Sequence, residues 1–333
     1  MIIHSIYQIG IILSKQNVLF MTKKNHLLLV NDFHTETIDT LDSLYQTHKL
    51  WQLDQPSKEK LILSLAPACK AVAAGSWSFD DVIYQLPKLE LISCFGVGVD
   101  LIDFDKTRQR NIRVTNTPDV LNDAVADVAL ALILATCRNI MNADRFVRNK
   151  KWLDGPFLFG RGLEGKVLGI VGLGRIGEAI VHRALPFKLE IAYHNRSPKQ
   201  LPYTYHSTLR ALAQNSDILL CMLPGEEETN KLINYEILQH LGPDGVFINV
   251  GRGSSVDELA LAQALREGTI AGAGLDVYAD EPHVPDELLA LDNIVLLPHI
   301  GSGTTETRVA MGKLVLENLA AHFSGQPLIT EVP

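Results

Sequence analysis

Six short apolar runs follow one another between Lys166 and Pro298: VLGIVG (167–172), EIAYHN (190–195), ILLCML (218–223), VFINVG (246–251), AGAGLDV (271–277) and IVLLP (294–298). Each is brief and bounded by polar, Gly or Pro residues, the pattern of a strand buried on both faces. Such strands need helices above and below them, and the intervening segments are long enough to supply these. The series therefore reads as six parallel strands of a doubly wound sheet of the dinucleotide-binding type. A second series precedes it, with HLLLVN (26–31), AVAAG (71–75), LELISCF (89–95) and IRVTNT (112–117) as strands. Thr35–Thr47 and Phe79–Tyr84 are long enough for its crossover helices. The fold class is thus α/β, and 333 residues exceed what one core usually carries, so two such domains are expected.

Two further helices are legible. Val125, Val128, Ala129 and Leu132 recur at helical spacing, and Leu130, Ile133 and Leu134 fill the opposite face. A helix from Leu121 to Asn149, buried nearly all round, follows; it suits a seam between domains or subunits, or an ordinary core position. Thr304–Phe323 reads as a helix stopped by Gly325 and Pro327. The first twenty residues, MIIHSIYQIGIILSKQNVLF, lack the basic start and small-residue cleavage site of a secretory signal. They are expected to be a disordered extension, and the fold is expected to begin at Met21.

Composition narrows the partners. Lys and Arg total 30 against 38 Asp and Glu, a net charge of −8. Nucleic acid as main partner needs a basic face, so it is excluded, and any anionic ligand must be held by a few placed groups. The longest apolar stretch, Val128–Cys137, is too short to span a bilayer, and no membrane is expected. Cys69, Cys94, Cys137 and Cys221 sit in apolar runs without a CxxC pair or zinc-type spacing. Buried, reduced thiols in a cytoplasmic protein, with no metal, are the reading.

Gly172-Leu173-Gly174-Arg175-Ile176-Gly177 follows the strand VLGIV and opens a helical pattern carrying Ile176, Ala179, Ile180 and Ala184 on one face. Gly172 provides the tight turn, Gly174 the close approach of a pyrophosphate, and Gly177 the helix–strand packing. The helix N-terminus offers N–H groups and a positive dipole to the anion. The next strand ends in AYHNRS, with His194, Asn195, Arg196 and Ser197. An NAD site places a carboxylate there to bond the ribose 2′-hydroxyl; here the nearest acid, Glu190, lies at the strand's start. Arg196 can instead meet a 2′-phosphate with bidentate, charge-assisted bonds, and Ser197 can add a third. NADP is the expected cofactor.

Three more residues stand where strands of this sheet end. Arg252 lies between Gly251 and Gly253, Glu281 in DVYADEP, and His299 in PHIGSGT. Ligands of open α/β sheets bind beyond the carboxyl ends of the strands, so all three point to one crevice. A solvated arginine, a turn-forming acid and a structural histidine would each be unremarkable alone; with the glycine loop they read as one site.

The Gly172–Gly177 loop, NVGRG around Arg252, GAGLDVYADEP around Glu281 and PHIGSGT around His299 resemble the D-isomer-specific 2-hydroxyacid dehydrogenases. FGVGVD (95–100) and NTPDVLNDAVAD (116–127) extend the likeness from about residue 25 to the end. HNRS and SGTTETR look most like the NADP-dependent glyoxylate/hydroxypyruvate reductases, a branch that includes hydroxyphenylpyruvate reductases. The resemblance implies a catalytic set of Arg252, Glu281 and His299. It implies a flavodoxin-like substrate domain of 21–118 plus 301–333, a Rossmann NADP domain of 119–300, a cleft between them, and a homodimer. Val97 and Gly98 match backbone groups for the substrate carboxylate, and Ser302 joins Arg252 and His299 on the substrate side. Val250, Asp276 and Gly301 match positions lining the nicotinamide, with Pro224 also on the cofactor side.

The chemistry agrees with those roles. A planar guanidinium at Arg252 can hold the carboxylate and keto oxygen of a 2-oxo acid as negative charge develops. Imidazole titrates near working pH, which suits His299 to deliver the proton. Glu281, bonded to the other ring nitrogen, favours the imidazolium and fixes the ring. NADPH-dependent reduction of small 2-oxo acids, glyoxylate and hydroxypyruvate first, is the function expected. An aromatic 2-oxo acid is the alternative, with Trp77 and Phe79 as pocket residues. A non-catalytic dinucleotide-sensing protein, like the corepressors of the family, is disfavoured by the short segment after the last helix. Formate dehydrogenases carry glutamine where Glu281 stands, and the phosphoglycerate branch carries a regulatory extension.

Overall fold

The structure, a computed structural model, describes residues 24–333; the extension expected at 1–20 lies outside the described residues. Strands β1 (His26–Leu29), β2 (Gln46–Lys49), β3 (Ala71–Gly75), β4 (Leu91–Phe95) and β5 (Arg113–Thr115) form one sheet in the order β2-β1-β3-β4-β5. A second sheet joins β6 (Val167–Val171), β7 (Glu190–His194), β8 (Thr204–Tyr205), β9 (Ile218–Cys221), β10 (Val246–Asn249), β11 (Gly272–Leu275) and β12 (Ile294–Leu296). Its order is β12-β11-β10-β9-β6-β7-β8. Every pairing in both sheets is parallel. The α/β fold of two parallel sheets is therefore the one the apolar runs dictate.

The helices, in chain order, are α1 (Thr35–Leu44), α2 (Gln55–Leu65), α3 (Phe104–Gln109), α4 (Asn122–Cys137), α5 (Ile140–Arg148), α6 (Arg175–Ala184), α7 (Leu209–Gln214), α8 (Tyr235–Leu241), α9 (Glu258–Arg266), α10 (Asp286–Leu289) and α11 (Thr305–Phe323). Asp54, Asp103, Thr208, Asn234, Asp257 and Thr304 cap six of them, each side chain accepting a backbone N–H three residues on. α6 differs: its N-cap is Gly174, with no side chain to satisfy the leading N–H groups.

Four sequence expectations need correction. The segment Thr35–Thr47, long enough for one crossover helix, holds α1 only as far as Leu44, and β2 begins at Gln46. QTHK carries no apolar signal because β2 is an edge strand, paired to β1 alone. β8 is a seventh strand of the second sheet, two residues long and also at an edge. The helix expected at Phe79–Tyr84 is only a 3-10 turn, Asp81–Gln85. Leu86 follows and then Pro87, and the residue before a proline resists helical backbone. The single helix expected over 121–149 breaks at Asn139, whose backbone is left-handed (φ 54°), and α4 and α5 meet at 61°. α4 buries Ala126, Ala129, Leu132 and Ile133 against α6, β10 and β11, whereas α5 buries no residue. Burial all round therefore fails for the second half, where Asp144, Arg145 and Arg148 interrupt the apolar face.

α11 crosses back to the first sheet, packing on β4 and α1 with Met311, Val315 and Leu319 buried. The tail beyond it continues that contact: the Val332 N–H donates to the Val114 carbonyl at 2.8 Å, and Thr115 bridges Glu331. No single helix among the described residues is long and apolar enough to cross a membrane. All four cysteines are buried and unpaired, and burial pushes the Cys94 thiol up to about 12.

The α11–α1 contact is close enough that a Cβ at Gly312 would run into the Thr37 side chain. Gly312→Val is expected to cost about 1–3 kcal/mol by overpacking. Thermal unfolding should show a lowered Tm, with Thr37→Ala in the same chain recovering most of the loss.

Candidate active site

Loops leaving the carboxyl ends of both sheets face one another across a cleft of about 1010 Å³. Phe33, Trp77, Val97 and Gly98, which follow β1, β3 and β4, line one wall. Pro224, Val250, Arg252, Asp276, Glu281, His299, Gly301 and Ser302, which follow β9 to β12, line the other. Of the two aromatics singled out in the sequence, Trp77 lines the cleft, while Phe79 packs against Tyr84 in the first domain's core.

Arg252 is held from below and from across the cleft. The buried Asn249 amide and the Ser255 hydroxyl donate to its carbonyl at 3.0 and 2.6 Å. Its Nε donates to Asp100 Oδ2 at 2.7 Å, and one terminal nitrogen donates to the Gly251 carbonyl at 2.9 Å. The other carboxylate oxygen of Asp100 accepts the Gly225 N–H at 3.1 Å. The free end of the guanidinium lies against Gly98, where any Cβ would collide with it. Asp100 was missed as a site residue. Its signal was an acid ending the glycine-rich FGVGVD loop after a strand.

His299 has left-handed backbone (φ 52°), which an L-residue adopts only when its surroundings enforce it. Asp276, 1% exposed, enforces it by accepting the N–H groups of Ile300 and Gly301, both at 2.8 Å. Burial raises the Asp276 carboxyl and the two N–H groups draw it partly back, leaving it above its ordinary value. Thus Asp276, expected against the nicotinamide, also sets the turn on which the histidine sits. His299 Nδ1 lies 2.7 Å from Glu281 Oε2, and Glu281 Oε1 accepts the Tyr278 N–H at 3.1 Å. Facing a carboxylate, Nδ1 carries the hydrogen and leaves Nε2 for the cleft.

The glycine loop adjoins this cleft. Gly172, Gly174, Arg175, Ile176 and Gly177 line a recess that shares Val97, Ile176 and Met222 with it. Gly172 has φ 89°, and the space beside Gly174 is open, so backbone and anion can meet closely at the uncapped start of α6. Leu173 is buried rather than lining. Its N–H donates to Asn195 Oδ1 at 2.7 Å and its carbonyl accepts from Asn195 Nδ2 at 3.1 Å. Asn195 therefore braces the loop. Arg196 and Ser197 stand exposed just beyond β7, with the Arg196 guanidinium 94% exposed and 3.9 Å from Glu226. No carboxylate occupies positions 194–197, so the residues present fit a dinucleotide bearing a 2′-phosphate.

Burial pulls the Glu281 carboxyl upward, but the bond and charge of His299, the Tyr278 N–H and Arg252 outweigh it, and the net shift is downward. A depressed carboxyl stabilises the fold above its unfolded value and loses that contribution as pH falls through the folded one. Glu281→Gln is therefore expected to lower Tm at neutral pH by the equivalent of about 1 kcal/mol, since the partly exposed imidazole is screened. Melting curves of the two proteins should converge as pH drops below the ordinary carboxylate range.

The D-isomer specific 2-hydroxyacid dehydrogenase NAD binding domain, as a family model, matches residues 130–301. The chain is 46% identical over 309 residues to hydroxyphenylpyruvate reductase of Plectranthus scutellarioides, covering 92% of this chain and 98% of that one. It is 47% identical over 295 residues to glyoxylate/hydroxypyruvate reductase A of Arabidopsis thaliana, covering 88% and 94%. Among solved structures, the NADPH-dependent glyoxylate/hydroxypyruvate reductase of Sinorhizobium meliloti, in complex with NADP and malonate, matches with a TM-score of 0.87 at 40% identity. That likeness covers 93% of this chain and 97% of that one. With both sheets and the cleft between them inside these matches, the chain belongs to the D-isomer-specific 2-hydroxyacid dehydrogenases.

Proposed function

We propose that this chain reduces small 2-oxo acids, glyoxylate and hydroxypyruvate first, to D-2-hydroxy acids with NADPH. The observation that carries the reading is the Glu281–His299 pair and the anchored Arg252 on one cleft beside the glycine loop. Gly172, Gly174, Arg175, Ile176 and Gly177 would hold the pyrophosphate, Arg196 and Ser197 the 2′-phosphate, and Pro224, Val250, Asp276 and Gly301 the nicotinamide side. Bound there, the dinucleotide supplies a hydride. The protein's part is to bind the carboxylate at Val97, Gly98 and Arg252, with Ser302 beside them, and to stabilise the alkoxide. His299 Nε2 delivers the proton, while Glu281 holds the ring and balances the imidazolium. Asp100 is a positioning residue, keeping the Arg252 fork turned to the substrate.

An aromatic 2-oxo acid is a second reading, favoured by Trp77 and Phe33 on the cleft wall. The ratio of kcat/KM for hydroxypyruvate and hydroxyphenylpyruvate separates the two. A cytoplasmic location is supported by the four buried, unpaired thiols. A homodimer is supported by the exposed Val147, Trp152, Leu153, Leu158 and Phe159 on α5 and the segment after it.

His299→Ala is expected to lower kcat/KM by about 10²–10⁴-fold while leaving NADPH binding, followed by nucleotide fluorescence, in place. Unchanged turnover would refute the proton-donor role. Arg196→Ala is expected to shift the NADPH over NADH ratio of kcat/KM about tenfold or more toward NADH, the size of a lost charge-assisted bond. A ratio that does not move would remove the 2′-phosphate contact.

A further inference from the structure

Arg308 heads a stripe of α11 that is otherwise apolar. Met311, Val315 and Leu319 follow it along one face and are all buried. At the start of that face the stripe opens into the cleft, and there the chain carries a guanidinium instead of a hydrocarbon. Its Cζ lies 5.6 Å from the Phe95 ring centroid and 6.0 Å from that of Trp77. The side chain is half-buried, and among the described residues it has no carboxylate partner and no side-chain hydrogen bond.

Among the charged side chains lining this cleft, that isolation is particular to Arg308. Asp100 pairs Arg252, Glu281 pairs His299, and the carboxylates of Asp276 and Glu226 on the same cleft are engaged as well. Desolvating a cation without an anion is costly, and the two aromatic faces offset part of it. Stacking uses the plane of a guanidinium and leaves its N–H edges open to an acceptor. Among the described residues none supplies that acceptor, which leaves it to a ligand in the cleft.

Trp77 lines the wall that follows β3, across from His299, and the buried Phe95 is the last residue of β4. With the keto carbon at His299 and the carboxylate at Val97 and Gly98, the part of the cleft left for the remaining carbons includes Trp77 and Arg308. We propose that Arg308 determines specificity there, taking a hydroxyl or carboxylate oxygen carried on the carbon beyond the keto group. The preferred substrates are then 2-oxo acids polar at that carbon, rather than alkyl ones. This rests on the reductase reading and adds a residue and a substrate class to it.

Hydroxypyruvate and pyruvate differ by that one hydroxyl, so their ratio of kcat/KM with NADPH reads the contact directly. The wild-type ratio should favour hydroxypyruvate, and Arg308→Met should reduce it about tenfold or more, as expected for one charge-assisted hydrogen bond. Arg308→Lys, which keeps the charge and loses the fork, should recover part of it. A ratio within twofold of wild type in Arg308→Met overturns the proposal, whether both substrates lose equally or neither does. Should Arg308→Met give no cooperative melt, Arg308→Gln is read by the same ratio. Wild-type protein inactive on every short 2-oxo acid would remove the reductase reading itself, and the Arg308 proposal with it.

Discussion

A carboxylate with almost no access to water sits under the site and takes two successive backbone N–H groups. Asp276 can remain buried only because both its oxygens are satisfied. In accepting from Ile300 and Gly301 it bends the chain leaving β12 so that His299 stands in a conformation few L-residues adopt. The imidazole then meets Glu281, whose position is fixed in turn by the Tyr278 N–H. Two loops of the second sheet, those leaving β11 and β12, are registered on one another by these few bonds.

The first sheet contributes little that titrates in the reaction. It brings Gly98, which any larger residue would turn into an obstacle for Arg252, and Asp100, which grips that arginine. It also brings the aromatic faces under Arg308. Neither sheet completes a site alone. The seam is made possible by α4, packed on the second sheet, and by α11, which returns the chain to the first.

Much of this was legible in the residues. Buried parallel strands announce themselves because both faces exclude water and every position is apolar, and the loops at their ends could then be placed on one side. Edge strands gave no such signal: QTHK in β2 and the two-residue β8 have a face or an edge in solvent, and their polarity hides them. The break at Asn139 was hidden because helical periodicity says which face is apolar, not whether one axis continues. Within the site, Arg252, Glu281 and His299 could be read from strand ends. Asp100 offered only an acid closing a glycine-rich loop, and its grip on Arg252, like the bracing role of Asn195, depends on a partner 152 or 22 positions away. Arg308 ends the polar stretch SGTTETR, and only its isolation in space gives it a meaning.

The 2.7 Å bond between Asp100 and Arg252 joins residues on opposite walls. Without Asp100 the guanidinium would keep only its bond to the neighbouring Gly251 carbonyl. The aim of the arginine is thus set by both halves of the molecule at once.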